Sequence, residues 1–328
     1  MNFKNFALIG CGYWGTIVTN CIKKLGLFKY IYIYDLNQAR VRLFKKKFKN
    51  FVVYKKINEI SYDNEIKYIY LATPPNQNYK LIKNFIKYNK KILVEKPGLI
   101  KIIEFENIKK LLKDSKSNLF FGYIYLHNKY IHYLKKLIDN KEKFGEVKYI
   151  KFVRQNFGPV RKDVNSFMDL GSHDIGIAKY LLSQKIKIVN HVKQNLLKKK
   201  HADIVFASFK TNKVNFDISV SWLTPEKIRK IIIITTKKMI LFDEINNHSP
   251  IQIYNNYARY PKIDYFTKKY FGKKRYNLNQ PLIHKGNVKK LRFNFSSPLE
   301  NEILSFIKEK KNLTDISLAM EIFKISKF

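Results

Sequence analysis

Short apolar runs alternate with stretches of helical spacing over the first third of the chain. Residues 6–9 (Phe-Ala-Leu-Ile) read as a buried strand, followed by a helix to about Leu25 with Gly26 as its C-terminal cap. Residues 30–34, 51–54, 68–72, 92–94 and 119–122 read as further strands, with helices predicted over 79–88 and 103–113. Turn residues stop several of these runs: Thr73-Pro74-Pro75 after the fourth strand and Glu95-Lys96-Pro97 after the fifth. Strands alternating with helices predict a parallel, doubly wound sheet of the Rossmann type, an α/β fold, over residues 1–122.

Beyond Gly122 the rhythm changes. A helix is predicted over 129–138, a longer strand over 147–154 and a helix over 175–182. Strand-like runs then dominate at 186–192, 204–210, 214–222, 228–235 and 239–242, too close in sequence for crossover helices. They predict a second, α+β domain over 123–328, built on a largely antiparallel open sheet. Residues 255–285, rich in Tyr, Lys and Asn, show no period and read as an irregular excursion, and helices are predicted over 298–308 and 313–324. A chain of 328 residues, 45% of them hydrophobic, is long enough for two cores.

Charge complicates this picture less than its size suggests. The 64 Lys and Arg against 25 Asp and Glu give +39, which points to an anionic partner: nucleic acid, a membrane surface or a phosphorylated substrate. The basic residues run along the whole chain alongside abundant Asn, Ile, Tyr and Phe, which fits codon bias in an AT-rich genome better than a dedicated patch. No helix-turn-helix, zinc-finger or aromatic RNA-binding pattern occurs, so no specific nucleic-acid partner is expected. No apolar run approaches the ~18 residues of a membrane span, and residues 6–10 are too short for a signal-peptide core. The two cysteines, Cys11 and Cys21, offer neither a disulfide framework nor metal-ligand spacing, so no metal is expected. Reduced thiols fit a cytoplasmic place of action. Cys11 reads as a small filler of a glycine loop rather than a nucleophile.

That loop, Gly10-Cys11-Gly12-Tyr13-Trp14-Gly15, matches G-x-G-x-x-G between a strand and a helix. Gly10 permits the tight turn, Gly12 a close backbone approach to a pyrophosphate, and Gly15 the packing of helix on strand. The helix N-terminus offers N–H groups and a positive dipole end to phosphates. Asp35, 20 residues after Gly15 at the end of the second strand, suits the ribose hydroxyls and repels a 2′-phosphate, which favours NAD over NADP. Arg40 is able to reach such a phosphate but is expected on the surface of the next helix. Tyr13, Trp14, Thr73, Pro74, Asn76 and Glu95 complete the expected cofactor contacts.

These motifs, with Glu95-Lys96-Pro97 and Met168-Asp169-Leu170-Gly171-Ser172-His173-Asp174, resemble the Gfo/Idh/MocA oxidoreductases along nearly the whole chain. The resemblance implies an NAD-dependent dehydrogenase acting on CH–OH groups. It also implies a homo-oligomer, a dimer or tetramer, formed through the second domain. Lys96, Asp169 and His173 match positions that act together in the family. An ammonium at Lys96 stabilises the alkoxide-like charge that develops as hydride leaves; burial and a nearby cation would lower its pKa, and Pro97 favours an extended or cis geometry that aims it. Asp169 and His173, spaced i, i+4, share a face if Asp169 opens a helix, so that Asp169 orients the imidazole and His173 accepts the hydroxyl proton. The residues leave open which of His173 and Lys96 is the base. Several relatives carry an acid three positions after the histidine, where this chain has Gly176; here the acid is Asp174. That arrangement, with Arg154-Gln155-Asn156-Phe157-Gly158-Pro159, Arg161 and Asp163-Val164-Asn165, resembles the branch acting on nucleotide sugars. Arg154 or Arg161 is the expected clamp for a diphosphate or carboxylate, with Asn156 and Asn165 as further substrate contacts. A UDP-N-acetylhexosamine is the expected substrate, its keto product feeding amino-sugar or surface-polysaccharide synthesis. The competing reading is a non-catalytic NAD-binding regulatory or partner subunit, which needs the glycines and Asp35 but neither Lys96 nor His173.

Overall fold

The computed structural model describes residues 5–28, 30–48, 51–161, 164–198, 201–259 and 281–328. The chain forms two units that do not follow a single cut at residue 122. The first comprises Met1–His132, Ile175–Tyr180 and Phe295–Phe328, and the second Tyr133–Asp174 and Leu181–Asn294.

In the first unit, β1 (Asn5–Ile9), β2 (Ile31–Tyr34), β3 (Phe51–Val53), β4 (Ile66–Leu71), β5 (Lys91–Glu95) and β6 (Asn118–Gly122) form one sheet in the order β3-β2-β1-β4-β5-β6. Every pairing is parallel, as the alternation of strands and helices predicts. The central strands are apolar on both faces because helices cover both; Phe6, Leu8, Ile69, Leu93 and Phe120 are all buried. The order reverses between β1 and β4, so a crevice is left at the strands' carboxyl ends.

Helix α1 (Tyr13–Leu25) follows β1 and ends at Gly26 in the left-handed conformation (φ 61°), as expected. Two helices that the apolar spacing does not announce, α2 (Gln38–Lys47) and α3 (Ile57–Tyr62), bury only Val41 and Phe44, and Ile60 and Ser61. Their remaining positions are mostly polar, which hides the 3.6-residue period. The C-terminal helices belong to this first unit. Pro298–Ile307 opens with a capping box between Ser297 and Glu300. It buries Phe306 edge-on against Tyr68 and Phe120, while Phe323 of helix Ile316–Ser326 meets Phe105.

The second unit is built on an eight-stranded sheet. Its members are β7 (Val147–Phe157), β8 (Lys187–Gln194), β9 (Ile204–Lys210), β10 (Asn215–Ser221), β11 (Leu223–Thr235), β12 (Met239–Asp243), β13 (Ile251–Tyr254) and β16 (Val288–Leu291). They lie in the order β16-β13-β12-β11-β7-β10-β9-β8. All pairs are antiparallel except β7 with β10. Phe209 stacks on Phe216, which meets Phe152 edge-on, and Trp222 is fully buried. Part of the segment expected to be irregular is regular: β14 (Tyr257–Arg259) pairs with β15 (Leu282–His284). Residues 260–280 lie outside the described residues. Of the described helices, none is long and apolar enough to cross a membrane.

Replacing Phe306 by Ala is expected to cost about 3–5 kcal/mol of stability. Urea unfolding followed by circular dichroism measures this, and an unchanged midpoint would detach the helix from the first unit's core.

Candidate active site

The glycine turn is shaped by close backbone contacts. Gly10 has φ +104°, and a Cβ there would stand 2.6 Å from the carbonyl oxygen of Ala72. A Cβ at Gly15 would stand 2.1 Å from the carbonyl oxygen of Gly10, so only glycine lets α1 start this close to β1. Gly12 precedes α1 without a side-chain cap, and a Cβ there would meet nothing. The loop is fixed from β2: the Cys11 N–H donates to Asp35 Oδ2 at 2.8 Å, and the Asn37 N–H to Oδ1 at 2.7 Å. Burial, then the Asp35 charge, pushes the Cys11 thiol up to about 12, so it is no nucleophile at neutral pH.

A cavity of about 350 Å³ opens beside this turn, lined by residues that include Gly10, Gly12, Asp35, Thr73, Pro74 and Gln77. Arg40 lines it as well as lying on the surface of α2. Asn76, an expected cofactor contact, is exposed and not among the lining residues; its neighbour Gln77 takes that position. Asn78, two residues on, is a fully buried bridge that the sequence gives no reason to single out. It accepts from Thr73 Oγ1 at 2.5 Å and donates to the Gly98 carbonyl at 2.9 Å, tying the loop after β4 to the loop after β5.

Tyr13 and Trp14 do not line the cavity. Tyr13 is 83% exposed. Trp14 turns its indole inward and donates to the Glu95 carboxylate, which also accepts from the Tyr70 hydroxyl. Glu95 additionally accepts the Lys96 backbone N–H and lies within the field of the Lys96 ammonium. Burial pushes Glu95 up to about 7, against the lowering pull of those donors and of Lys96. A Cβ at Gly122, its partner on β6, would stand 3.0 Å from Glu95 Oε2, so a side chain at 122 would crowd the carboxylate. The Lys96–Pro97 peptide bond is cis, one of the two geometries expected of it.

In the second unit, residues Phe167–Gly171 form a π-helical turn that runs into helix Ser172–Leu182, with the Ser172 N–H donating five residues back to the Phe167 carbonyl. Such turns recur at functional sites. Asp169 sits inside this turn rather than opening a regular helix. It accepts from Trp222 Nε1 at 3.1 Å and from Arg161 Nη1 at 3.4 Å. Trp222, 53 residues away, was not foreseeable from local spacing. Asn165, expected at the substrate, accepts the Met168 N–H at 2.7 Å and starts the turn. Asn156 donates to the Gly158 carbonyl and accepts from Arg229 Nη2, both at 2.5 Å. Asp163 lies outside the described residues.

Arg154 departs most from its expected role as a clamp. It is 5% exposed, and its guanidinium grips Asp174 with Nε at 3.0 Å and Nη2 at 2.7 Å from Oδ1. A guanidinium held in this fork inside the unit does not present itself to a diphosphate. Arg161, about one-third exposed, is the more accessible of the two.

The family model for the Gfo/Idh/MocA oxidoreductases, described as an oxidoreductase family with an NAD-binding Rossmann fold, matches residues 4–123. The matched stretch is similar to that family and takes in the whole of the six-stranded parallel sheet. Myo-inositol 2-dehydrogenase of Thermotoga maritima is 22% identical over 187 residues, a stretch covering 56% of either chain. The match thus spans little more than half the length of that relative. Among solved structures, UDP-N-acetylglucosamine 3-dehydrogenase from Acidithiobacillus ferrooxidans superposes with TM-score 0.75 at 17% identity, over 98% of this chain and 95% of that one. GenD2 from gentamicin A biosynthesis, solved in complex with NAD, superposes with TM-score 0.79 at 14% identity, over 100% and 93%. The glycine turn, the bare backbone at Gly12, the cavity and the anchored Asp35 fit the family's cofactor: Asp35 would meet the ribose and the start of α1 the phosphates.

Replacing Asp35 by Ala is expected to weaken NAD binding roughly tenfold or more, since a hydrogen bond to a charged group contributes about 1.5–3 kcal/mol; calorimetric titration measures it. Arg154→Ala is expected to cost about 3–5 kcal/mol by stranding Asp174, and an Arg154→Met, Asp174→Leu pair distinctly less; equilibrium unfolding of both variants compares them.

Proposed function

We propose that this chain is an NAD-dependent dehydrogenase that oxidises a sugar hydroxyl to a keto group, or runs the reverse reaction, on a nucleotide sugar such as a UDP-N-acetylhexosamine. One observation carries the reading: Trp14 of the dinucleotide loop is hydrogen-bonded to Glu95, the residue before Lys96. The lysine-bearing turn is therefore joined to the loop that receives the cofactor. The 3-dehydrogenase acting on UDP-N-acetylglucosamine and the inositol dehydrogenase among similar proteins support an alcohol on a ring carbon as substrate.

NAD, when bound, supplies the hydride acceptor. Lys96 donates a hydrogen bond to the reacting oxygen and stabilises the negative charge that grows there as the C–H electron pair departs. His173, or Lys96 itself, takes the hydroxyl proton, so the alcohol leaves as a ketone with two electrons and two hydrogens removed. Asp169, through Arg161 and Trp222, holds the turn that carries His173. Arg161 is the candidate for an anionic part of the substrate, and Arg154 positions the start of helix Ser172–Leu182. The same reading makes the chain a homo-oligomer working in the cytoplasm on amino-sugar or surface-polysaccharide precursors, consistent with two buried, free cysteines.

Absorbance at the NADH band during incubation with NAD and a panel of UDP-hexosamines, UDP-hexoses and inositols tests the reading. Turnover is expected with at least one nucleotide sugar. Lys96→Ala and His173→Ala are each expected to lower kcat roughly 10²–10⁴-fold with NAD affinity retained, and the double variant to lose less than the product of the two. NAD binding without turnover on any of these substrates would favour a regulatory subunit instead.

A further inference from the structure

We propose that Glu302 is the proton-bearing partner of Glu95 and, through it, a positioning residue for Lys96. Nothing in the local sequence Pro-Leu-Glu-Asn-Glu-Ile separates Glu302 from Glu300. The fold treats them differently. Glu300 caps its helix and pairs with Lys24 at 2.5 Å. Glu302 is fully buried, and among the described residues neither of its carboxyl oxygens has a hydrogen-bond partner. It lies on the helix face turned to the core, next to Ile303 and Phe306.

An ionised carboxylate with no donor in such surroundings is too costly to persist. Its strongest electrostatic neighbour is Glu95, whose charge adds to burial in favouring the protonated form of Glu302. The groups that bear on the pair come from four elements: Trp14 and Cys21 of α1, Tyr70 of β4, Lys96 after β5, and the side-chain-free Gly122 of β6. The donors are distributed unequally. Trp14, Tyr70 and the Lys96 N–H all serve Glu95. Two poorly solvated carboxyls in each other's field do not both ionise readily; the one with donors takes the charge and the one without keeps the proton. The titration belongs to the pair. Once Glu95 has ionised, above about pH 7, the pair presents one negative charge, on Glu95, within the field of Lys96. The role toward Lys96 rests on the redox reading above; the shared proton does not.

Glu302 holds its proton more tightly in the folded chain than in the unfolded one. Stability therefore falls as pH rises from the ordinary glutamate range towards neutrality and above. Glu302→Gln keeps the shape and removes that proton. In cofactor-free protein, melting temperatures of wild type and Glu302→Gln are expected to converge near about pH 5, with the variant melting higher at about pH 8. A variant less stable than wild type by a margin that grows with pH would mean that Glu302 is ionised, and would overturn the proposal. Infrared spectroscopy decides independently of any variant's folding: a protonated-carboxyl stretch is expected in wild type at about pH 9, where Glu95 has ionised, and its absence overturns the proposal. That band should survive Glu95→Gln and vanish in Glu302→Gln. For the role toward Lys96, the acidic limb of the kcat/KM profile is expected to stay in place in Glu302→Gln, neutral like the protonated acid, and to move to lower pH in Glu302→Ala, which admits water beside Glu95; a limb unmoved in both removes that role. If no sugar is turned over, that role falls with the redox reading, while the melting and infrared measurements still decide the shared proton.

Discussion

The first unit's chemistry depends on partly burying one carboxylate. Glu95 stands at the end of a strand flanked by strands on both sides, where solvation is lost and a bare charge is unaffordable. Three donors answer that cost: an indole from the dinucleotide loop, a phenol from the neighbouring strand and the backbone N–H of the next residue. Each donor has a structural consequence. The indole commits Trp14 to the interior rather than to the cofactor cavity. The phenol of Tyr70 is itself buried, and its proton is held far more tightly than usual, first by burial and then by the Glu95 charge. Gly122, without a side chain, leaves the carboxylate uncrowded. A lysine placed directly after this carboxylate lies within its field.

The second unit solves a related problem with arginine. Asp174 is buried, and its fork with Arg154 satisfies both oxygens from one planar group. A buried pair of this kind is weak evidence for stability but strong evidence for position, because removing either member strands the other. It ties the first turn of helix Ser172–Leu182 to β7. Asp169 is held less deeply, by Arg161 and by the Trp222 indole. His173 thus lies between two acids whose directions are fixed by other side chains, so its backbone has little freedom to drift.

What the sequence reveals and what it conceals divide along physical lines. The parallel sheet was legible because strands buried on both faces are continuous apolar runs, and the dinucleotide turn because its glycines answer steric demands that no other residue meets. Helix α2 was hidden by a surface rich in Arg and Lys, which erases the apolar period, and α3 by its length of 6 residues. Strands β13 and β16 are four residues each, too short for alternation to register. Among site residues, the contacts that depend on local geometry, such as Gly10 and Asp35, sit where the motif puts them. Asn78, Trp222 and Glu302 act through partners 20, 53 or some two hundred residues away, and no local pattern encodes such distances. The Arg154–Asp174 fork was hidden for the same reason: an arginine in a strand looks alike whether it meets a ligand or a buried aspartate.

The missing acid at position 176 follows from packing rather than from drift. A Cβ on Gly176 would stand 3.3 Å from Ile322 Cδ1 and 3.9 Å from a methyl of Leu126. A carboxylate built out from there would press on apolar side chains, a costly setting for a charge. The helix therefore closes tightly on its neighbours at that turn and carries its acid two residues earlier, at Asp174, where β7 supplies a guanidinium. Relocating the acid changes its work: at 174 it is bound to Arg154 and anchors the helix, and it is not available as an exposed hydrogen-bond acceptor.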